Sequence, residues 1–387
     1  MITATESFPL EDTVGAWVPH GRFVLPPTAS GPLDGLRFAA KDLFDVAGHP
    51  TGAGNPTWLA THPATSAHAP VVAHLLGAGA TLMGKVLTDE LAYSLHGDNM
   101  HYGSPLNSAA AVAARLVDFA LGTDTGGSTR VPASYCGLWG LRTTHGLVST
   151  QGLVPLHPSF DTVTWLAWDA NTFERVGGVL LPPNPTEFTT LLTPPEAWAL
   201  ADPVFERPLH RAREALTSLL STPANVTPWL GAETLADWRQ TYATAGAHEG
   251  WRVHGDWISR HAPRFSPAIA ARWAHASQVS NADAEAARAE VARIRQHVRA
   301  LIGAKGIALL PSAASLAPRR DADPATVDAV RLRTMAITCI AGLAGLPQVS
   351  LPLQSDEGVP LGVSLIGPAG SDQALIGLAR RLHSLMV

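Results

Sequence analysis

Two cysteines in 387 residues, Cys136 and Cys339, are too few for a disulfide framework or a cysteine-based metal cluster, and both lie in apolar or glycine-rich surroundings. A reduced, cytoplasmic setting is therefore the expectation. Charge is also scarce. Charged residues make up 15% of the chain, the formal net charge is -5, and neither Lys nor Arg forms a run, which removes the electrostatic footprint of nucleic-acid binding. No uninterrupted apolar stretch approaches the roughly 20 residues that a membrane span requires. Met1 to Leu10 has no basic region followed by an apolar core, so neither a membrane partner nor a targeting segment is expected. There is no Gly-x-Ser-x-Gly elbow, and the 16 histidines show no catalytic or metal-ligand spacing. No metal and no cofactor are expected. A small molecule is the favoured partner.

With 46% hydrophobic residues, the chain can bury a large core as one large domain or two. Residues 1–34, punctuated by Pro26-Pro27 and Gly31-Pro32, read as an irregular lead-in, and regular structure starts at Leu36. Leu36 to Ala40 suits a strand that delivers Lys41 and Asp42 at its end. Ala69 to Ala80 reads as a helix stopped by Gly77 and Gly79, followed by a strand at Thr81 to Gly84, with Lys85 beyond it as a rival lysine. An alanine-rich helix over Ala109 to Val117 leads into a strand at Asp118 to Leu121. Pro132 to Arg142 reads as a short helix and a return strand. The proline-rich segment near 181–195 marks a connection between two halves.

Beyond that connection, Pro208 to Leu220 and Ala282 to Ile302 carry helical patterns, the second with Val291, Ile294, Val298 and Leu301 on one face. Trp251, Trp257 and Trp273 fit a core, with an aromatic substrate pocket as the rival reading. Ile307 to Leu310, Val349 to Leu353 and Leu361 to Ile366 suit strands, and Asp372 to Met386 a closing helix. The pattern is that of an α/β protein.

One stretch stands out within this order: Leu121-Gly122-Thr123-Asp124-Thr125-Gly126-Gly127-Ser128-Thr129-Arg130-Val131-Pro132. After a buried strand, the Gly-Gly pair permits backbone conformations closed to other residues, and Ser128 would sit on an exposed turn. The backbone N–H groups of Thr125, Gly126 and Gly127 could share one hollow, as an oxyanion site needs. A Gly/Ser-rich surface turn would have the same composition.

The segment from Gly122 to Gly137 resembles the amidase signature family of Ser-Ser-Lys amide hydrolases. Lys41-Asp42, the run Gly345 to Pro352, and Pro360-Leu361-Gly362-Val363 extend the resemblance. Within the family, Asp89 to Ser94, His101-Tyr102-Gly103 and Ala113 to Phe119 are most similar to the plant-type indole-3-acetamide hydrolase branch. The resemblance implies one α/β/α domain, residues 35–387, around a central mixed sheet flanked by helices. It implies Ser128 as nucleophile, Lys41 as a general base that burial must render neutral, and an oxyanion hole from the amides of Thr125 to Ser128. Lys85 returns to a structural role. The implied substrate is a small aryl or alkyl acetamide, converted without a cofactor, and a homodimer is compatible with this reading.

The chain departs from the family at the bridging serine, which belongs to a Gly-Gly-Ser-Ser-Gly-Gly loop. Here the corresponding place reads Tyr102-Gly103-Ser104-Pro105-Leu106-Asn107-Ser108. An ungapped alignment puts Ser104 in register as the bridging serine. A gapped alignment deletes the loop between Asn107 and Ser108 and accounts for Tyr102, Pro105 and Asn107 as well. On the gapped alignment the triad lacks its middle member and activity is impaired, with an inactive amidase-like scaffold as the alternative to an enzyme.

Overall fold

The computed structural model describes residues 8–94, 99–103, 108–319 and 321–387. Among these, ten strands form one mixed sheet: β1 (Arg37–Lys41), β2 (Thr81–Val86), β3 (Phe119–Thr123), β4 (Trp139–Arg142), β5 (Val163–Ala167), β6 (Thr190–Leu192), β7 (Ala224–Asn225), β8 (Gly306–Pro311), β9 (Gln348–Gln354) and β10 (Pro360–Ile366). Their spatial order is β2-β1-β3-β5-β4-β9-β10-β8-β6-β7. Parallel pairs lie toward the two ends, with β1 against β2 and β3, and β6 against β7 and β8. The middle is antiparallel.

Strand alternation sorts side chains onto two faces. Phe38, Ala40, Phe119, Leu121, Trp165, Leu141, Val349 and Leu351 share one core with the closing helix Asp372–Met386 and with the helices Pro70–Gly77, Ala170–Leu180 and Glu206–Leu220. The opposite face near β1 and β3 carries Ala39, Ala120 and Leu166, small enough at two positions for the helices Ser108–Ala113 and Arg130–Cys136 to sit close. Farther along the same face, Ala308, Leu310 and Ile366 meet the long helices Leu235–His261, Asn281–Ile302 and Pro324–Ala344. Helices thus cover both faces of a central mixed sheet, the α/β/α arrangement that the resemblance implies.

Residues 8–34 contain one 3-10 turn, Pro19–Gly21, and run along the outer edge of β2, where Trp17 bridges to Val86 and Leu25 to Leu82. Trp17 is buried there. The proline-rich connection joins the helix Ala170–Leu180 to β6, and Pro195 opens a short helix, Pro195–Trp198. The strands before and after this connection meet in register where Gly140 of β4 pairs with Ser350 of β9.

Candidate active site

Parallel pairing of β1 with β3 sets Ala40 opposite Leu121, so the chain leaves both strands at the same edge, with Lys41 at one end and Thr123 at the other. Lys41 is buried, and its Nζ donates to Thr123 Oγ1 at 3.1 Å. Burial pushes the Lys41 pKa below the ordinary lysine value, because desolvation disfavours the ammonium form; the nearby Asp89, Asp124 and Asp161 carboxylates oppose the shift without cancelling it.

The turn after β3 is built around Asp124, which is fully buried. Its carboxylate accepts the backbone N–H of Gly127 at 2.9 Å and those of Thr129 and Arg130 at 3.3 Å. It also accepts Arg130 Nε at 2.9 Å, Arg130 Nη2 at 2.7 Å and Arg142 Nη1 at 3.2 Å. Burial alone would raise the Asp124 pKa, yet the two guanidinium groups hold it well below the usual carboxylate range. The carbonyls of the turn are also held from the protein side: Asp124 O accepts from Arg142 and Thr162, Thr125 O from Arg142, and Gly126 O from Thr338 Oγ1. Among the described residues, no acceptor meets the N–H of Thr125, Gly126 or Ser128. Gly127, expected beside them as an oxyanion donor, instead commits its N–H to Asp124 and adopts φ +129°, which strains any residue with a Cβ.

Ser128 is half-buried, its Oγ donating to Ser94 O at 3.4 Å, and it lines a cavity of about 450 Å³ together with Thr125 and Gly126. Ser104 lies outside the described residues, as does the side chain of Ser108, whose backbone opens the helix Ser108–Ala113. Lys85, the rival lysine, is fully buried and engaged: its Nζ donates to Pro50 O and Thr51 Oγ1 at 2.8 Å and pairs with Asp42 at 3.4 Å. Its role is to tie the end of β2 to the loop after β1.

The remaining walls of the cavity come from the second half of the chain and from residues that sequence reasoning missed. Tyr242 projects from the helix Leu235–His261 so that a Cβ placed on Gly126 would lie 2.8 Å from its hydroxyl. His157 packs edge-on against Tyr93 at 5.4 Å between ring centroids, and neither of its ring nitrogens has a hydrogen-bond partner among the described residues. Burial, reinforced by His254, pushes its pKa down to about 3, so it stays neutral. The three tryptophans considered for a substrate pocket do not line this cavity: Trp257 and Trp273 are buried in an apolar cluster with Leu156 and Ile269, and Trp251 packs against that cluster. Small residues spaced along the long helix, Ala243, Gly246 and Gly250, were the available signal of a close approach. A Cβ on Gly246 would lie 2.6 Å from His157 Nδ1.

A mixed α/β sheet with a largely apolar cavity at one strand edge, floored by a serine and a glycine-rich turn, defines the class as an α/β protein with a small-molecule site. The family model described as Amidase matches residues 26–376, and the chain belongs to that family. It is 38% identical to Amidase 1 of Arabidopsis thaliana, over 93% of this chain and 95% of that protein. It is 34% identical to the chloroplastic Outer envelope protein 64 of the same plant, over 92% of this chain and 68% of that one. A solved structure described as an amidase superposes with a TM-score of 0.80 at 26% identity, covering 93% of this chain and 86% of the other. The protein is an amide-hydrolysing enzyme. Among the described residues, no helix is long and apolar enough to cross a membrane, and no cluster of His, Cys, Asp and Glu could hold a metal ion.

Proposed function

We propose that this enzyme hydrolyses a small aryl or alkyl acetamide through a serine acyl-enzyme, with Ser128 as nucleophile and Lys41 as general base. Ser128 Oγ attacks the amide carbonyl carbon as its proton is passed toward the neutral Lys41 Nζ. The oxyanion of the tetrahedral intermediate accepts from the N–H groups of Thr125, Gly126 and Ser128, while Gly127 anchors the turn to Asp124. The C–N bond then breaks, the proton returns to the leaving nitrogen, and ammonia departs. Water attacks the resulting ester, releasing the carboxylate and regenerating Ser128.

The observation that carries this reading is the turn itself. Its carbonyls and the Asp124 carboxylate are held by buried donors, while among the described residues no acceptor meets the amides of Thr125, Gly126 and Ser128 beside a cavity that Ser128 lines. In place of the family's bridging serine, Ser104, Ser108 or a water relays the proton between Ser128 and Lys41. With the family's glycine- and serine-rich loop deleted between Asn107 and Ser108, that relay is the weak member of the site and lowers the rate. Apolar contributions from Leu156, Leu332 and Met335 suit the body of an aryl or alkyl acetamide.

A fluorophosphonate probe tests the assignment. The folded protein should be labelled on Ser128, found by peptide mass spectrometry, and Ser128→Ala should abolish the labelling. A folded protein that resists the probe, or one labelled at another serine, would overturn the acyl-enzyme reading.

A further inference from the structure

The chain as a whole carries a formal net charge of -5, yet the cavity beside Ser128 is lined by three guanidinium groups, Arg239, Arg272 and Arg331, against one carboxylate, Asp328. Two of the three are engaged. Arg331 Nη2 pairs with Asp328 at 2.7 Å, and Arg272 donates to Tyr93 O. Arg272 also feels Arg331 as a like charge: burial lowers its pKa first, and Arg331 lowers it further. Arg239 differs from both. It is half-buried, and among the described residues it has neither a hydrogen bond nor a carboxylate within ion-pair distance.

Its place in the fold gives this unpaired cation its meaning. Arg239 lies one helical turn before Tyr242 on the helix Leu235–His261, and residues three apart share a helix face. Tyr242 is the side chain that abuts Gly126 in the nucleophile turn. A ligand that reaches from Ser128 past Tyr242 therefore meets Arg239 next. His157 also lines the cavity, neutral and with neither ring nitrogen partnered among the described residues, and adds hydrogen-bonding capacity but no charge.

We propose that the cavity selects amides whose far end carries a carboxylate, and that Arg239 is the specificity-determining residue that receives it. A planar guanidinium with free donors matches a carboxylate in a bidentate fork, and removal from bulk water strengthens that pairing relative to an exposed one. The cavity's excess of positive charge also favours an anion over a neutral ligand before any contact is made. The substrate class becomes an aryl or alkyl acetamide bearing a carboxylate opposite its carboxamide, a deepening that rests on Ser128 being the nucleophile.

The test compares 4-carboxyphenylacetamide with phenylacetamide. Ammonia release by the wild-type enzyme should show a kcat/KM about tenfold or more higher for the carboxylated amide, the range expected of a hydrogen bond between charged groups. Arg239→Gln should collapse that ratio toward one, mainly through KM, and Arg239→Lys should restore part of it. Calorimetric binding of both amides to Ser128→Ala reads the same preference without turnover, and adding Arg239→Gln should erase it. Selective binding without hydrolysis by the wild type would leave the carboxylate site standing and defeat the acyl-enzyme reading. Hydrolysis of both amides with equal kcat/KM, or a preference indifferent to Arg239→Gln, would overturn the carboxylate site alone.

Discussion

Lys41 and Lys85 leave neighbouring parallel strands one register step apart, Lys41 opposite Val86 and Lys85 opposite Ala40, yet they meet opposite surroundings. Lys85 reaches a carboxylate, a carbonyl and a hydroxyl, whereas Lys41 Nζ donates, among the described residues, to the Thr123 hydroxyl. Burial lowers the pKa of both, and Asp42 compensates Lys85 at ion-pair distance. For Lys41 the folded-state pKa lies below its unfolded value of 10.5, so between the two values the unfolded chain binds more protons and stability rises with pH. The stability cost is therefore present in full below the folded pKa and gone above the unfolded one. Lys41→Met should raise the urea midpoint at pH 7, with the gain shrinking as pH approaches 10.5. On the proposed role of Lys41 as general base, the same variant should lose about a thousandfold in kcat. In the wild type kcat/KM should climb with pH as Lys41 sheds its proton and then level off. A variant that is inactive and also less stable would mean that Lys41 is a structural lysine. Residues of this kind were legible because they sit in one short motif or at a strand end. Arg239, Tyr242 and His157 were not, because each reaches the cavity from an element far away in the chain.

At the scale of elements, the strands β9 and β10 and the helix Asp372–Met386 could be read within a residue of their bounds, since each has an unbroken apolar period. The helix Leu235–His261 escaped. Its glycines, Gly246, Gly250 and Gly255, each cost about 1 kcal/mol of helix propensity relative to alanine, and packing overrides that cost. A start signal was nevertheless present: Thr234 and Asp237 form a reciprocal capping box, the hydroxyl accepting from Asp237 N at 3.2 Å. The likewise unread helix Pro324–Ala344 has Asp323 as its cap and Gly345 in the left-handed region at its end. These two helices pack against the turn after β3, one through Tyr242, which abuts Gly126, and the other through Thr338, whose Oγ1 donates to Gly126 O. The close approach of Tyr242 to Gly126 makes their coupling measurable. Gly126→Ala should lower kcat/KM about a hundredfold, because the new Cβ would meet the Tyr242 hydroxyl at 2.8 Å. Tyr242→Phe removes that oxygen, so the double variant should recover most of the loss caused by Gly126→Ala. Losses that simply multiply in the double variant would show that the turn and the helix act independently.

The whole molecule turns on the pairing of β4 with β9, which joins the strands on either side of the proline-rich connection near 181–195 into one sheet. The stretch near 181–195, expected as a connection without an element, in fact contains strand β6, and proline density cannot say whether the flanking halves share a sheet, because that depends on partners more than 200 residues apart. Three buried links cross the same seam. Arg130 Nη1 donates to Gln348 Oε1 at 2.6 Å and to Thr338 O at 2.9 Å, and Thr144 Oγ1 donates to Asp372 at 2.6 Å. A fragment ending at Pro185 would keep β1 to β5, yet it would expose the edge of β4 and strip the buried Arg130 of two acceptors. Breaking a buried polar network on one side costs about 3–5 kcal/mol, a large share of what holds a domain folded. The fragment should therefore show no cooperative urea transition by circular dichroism. The full chain should unfold in one step, with far-ultraviolet ellipticity and tryptophan fluorescence changing together, since Trp139 and Trp165 report on one half and Trp238 and Trp273 on the other. Two separated transitions in the full chain, or a fragment that unfolds cooperatively by itself, would mean that the halves fold as separate domains and that the β4–β9 pairing is an interface between them.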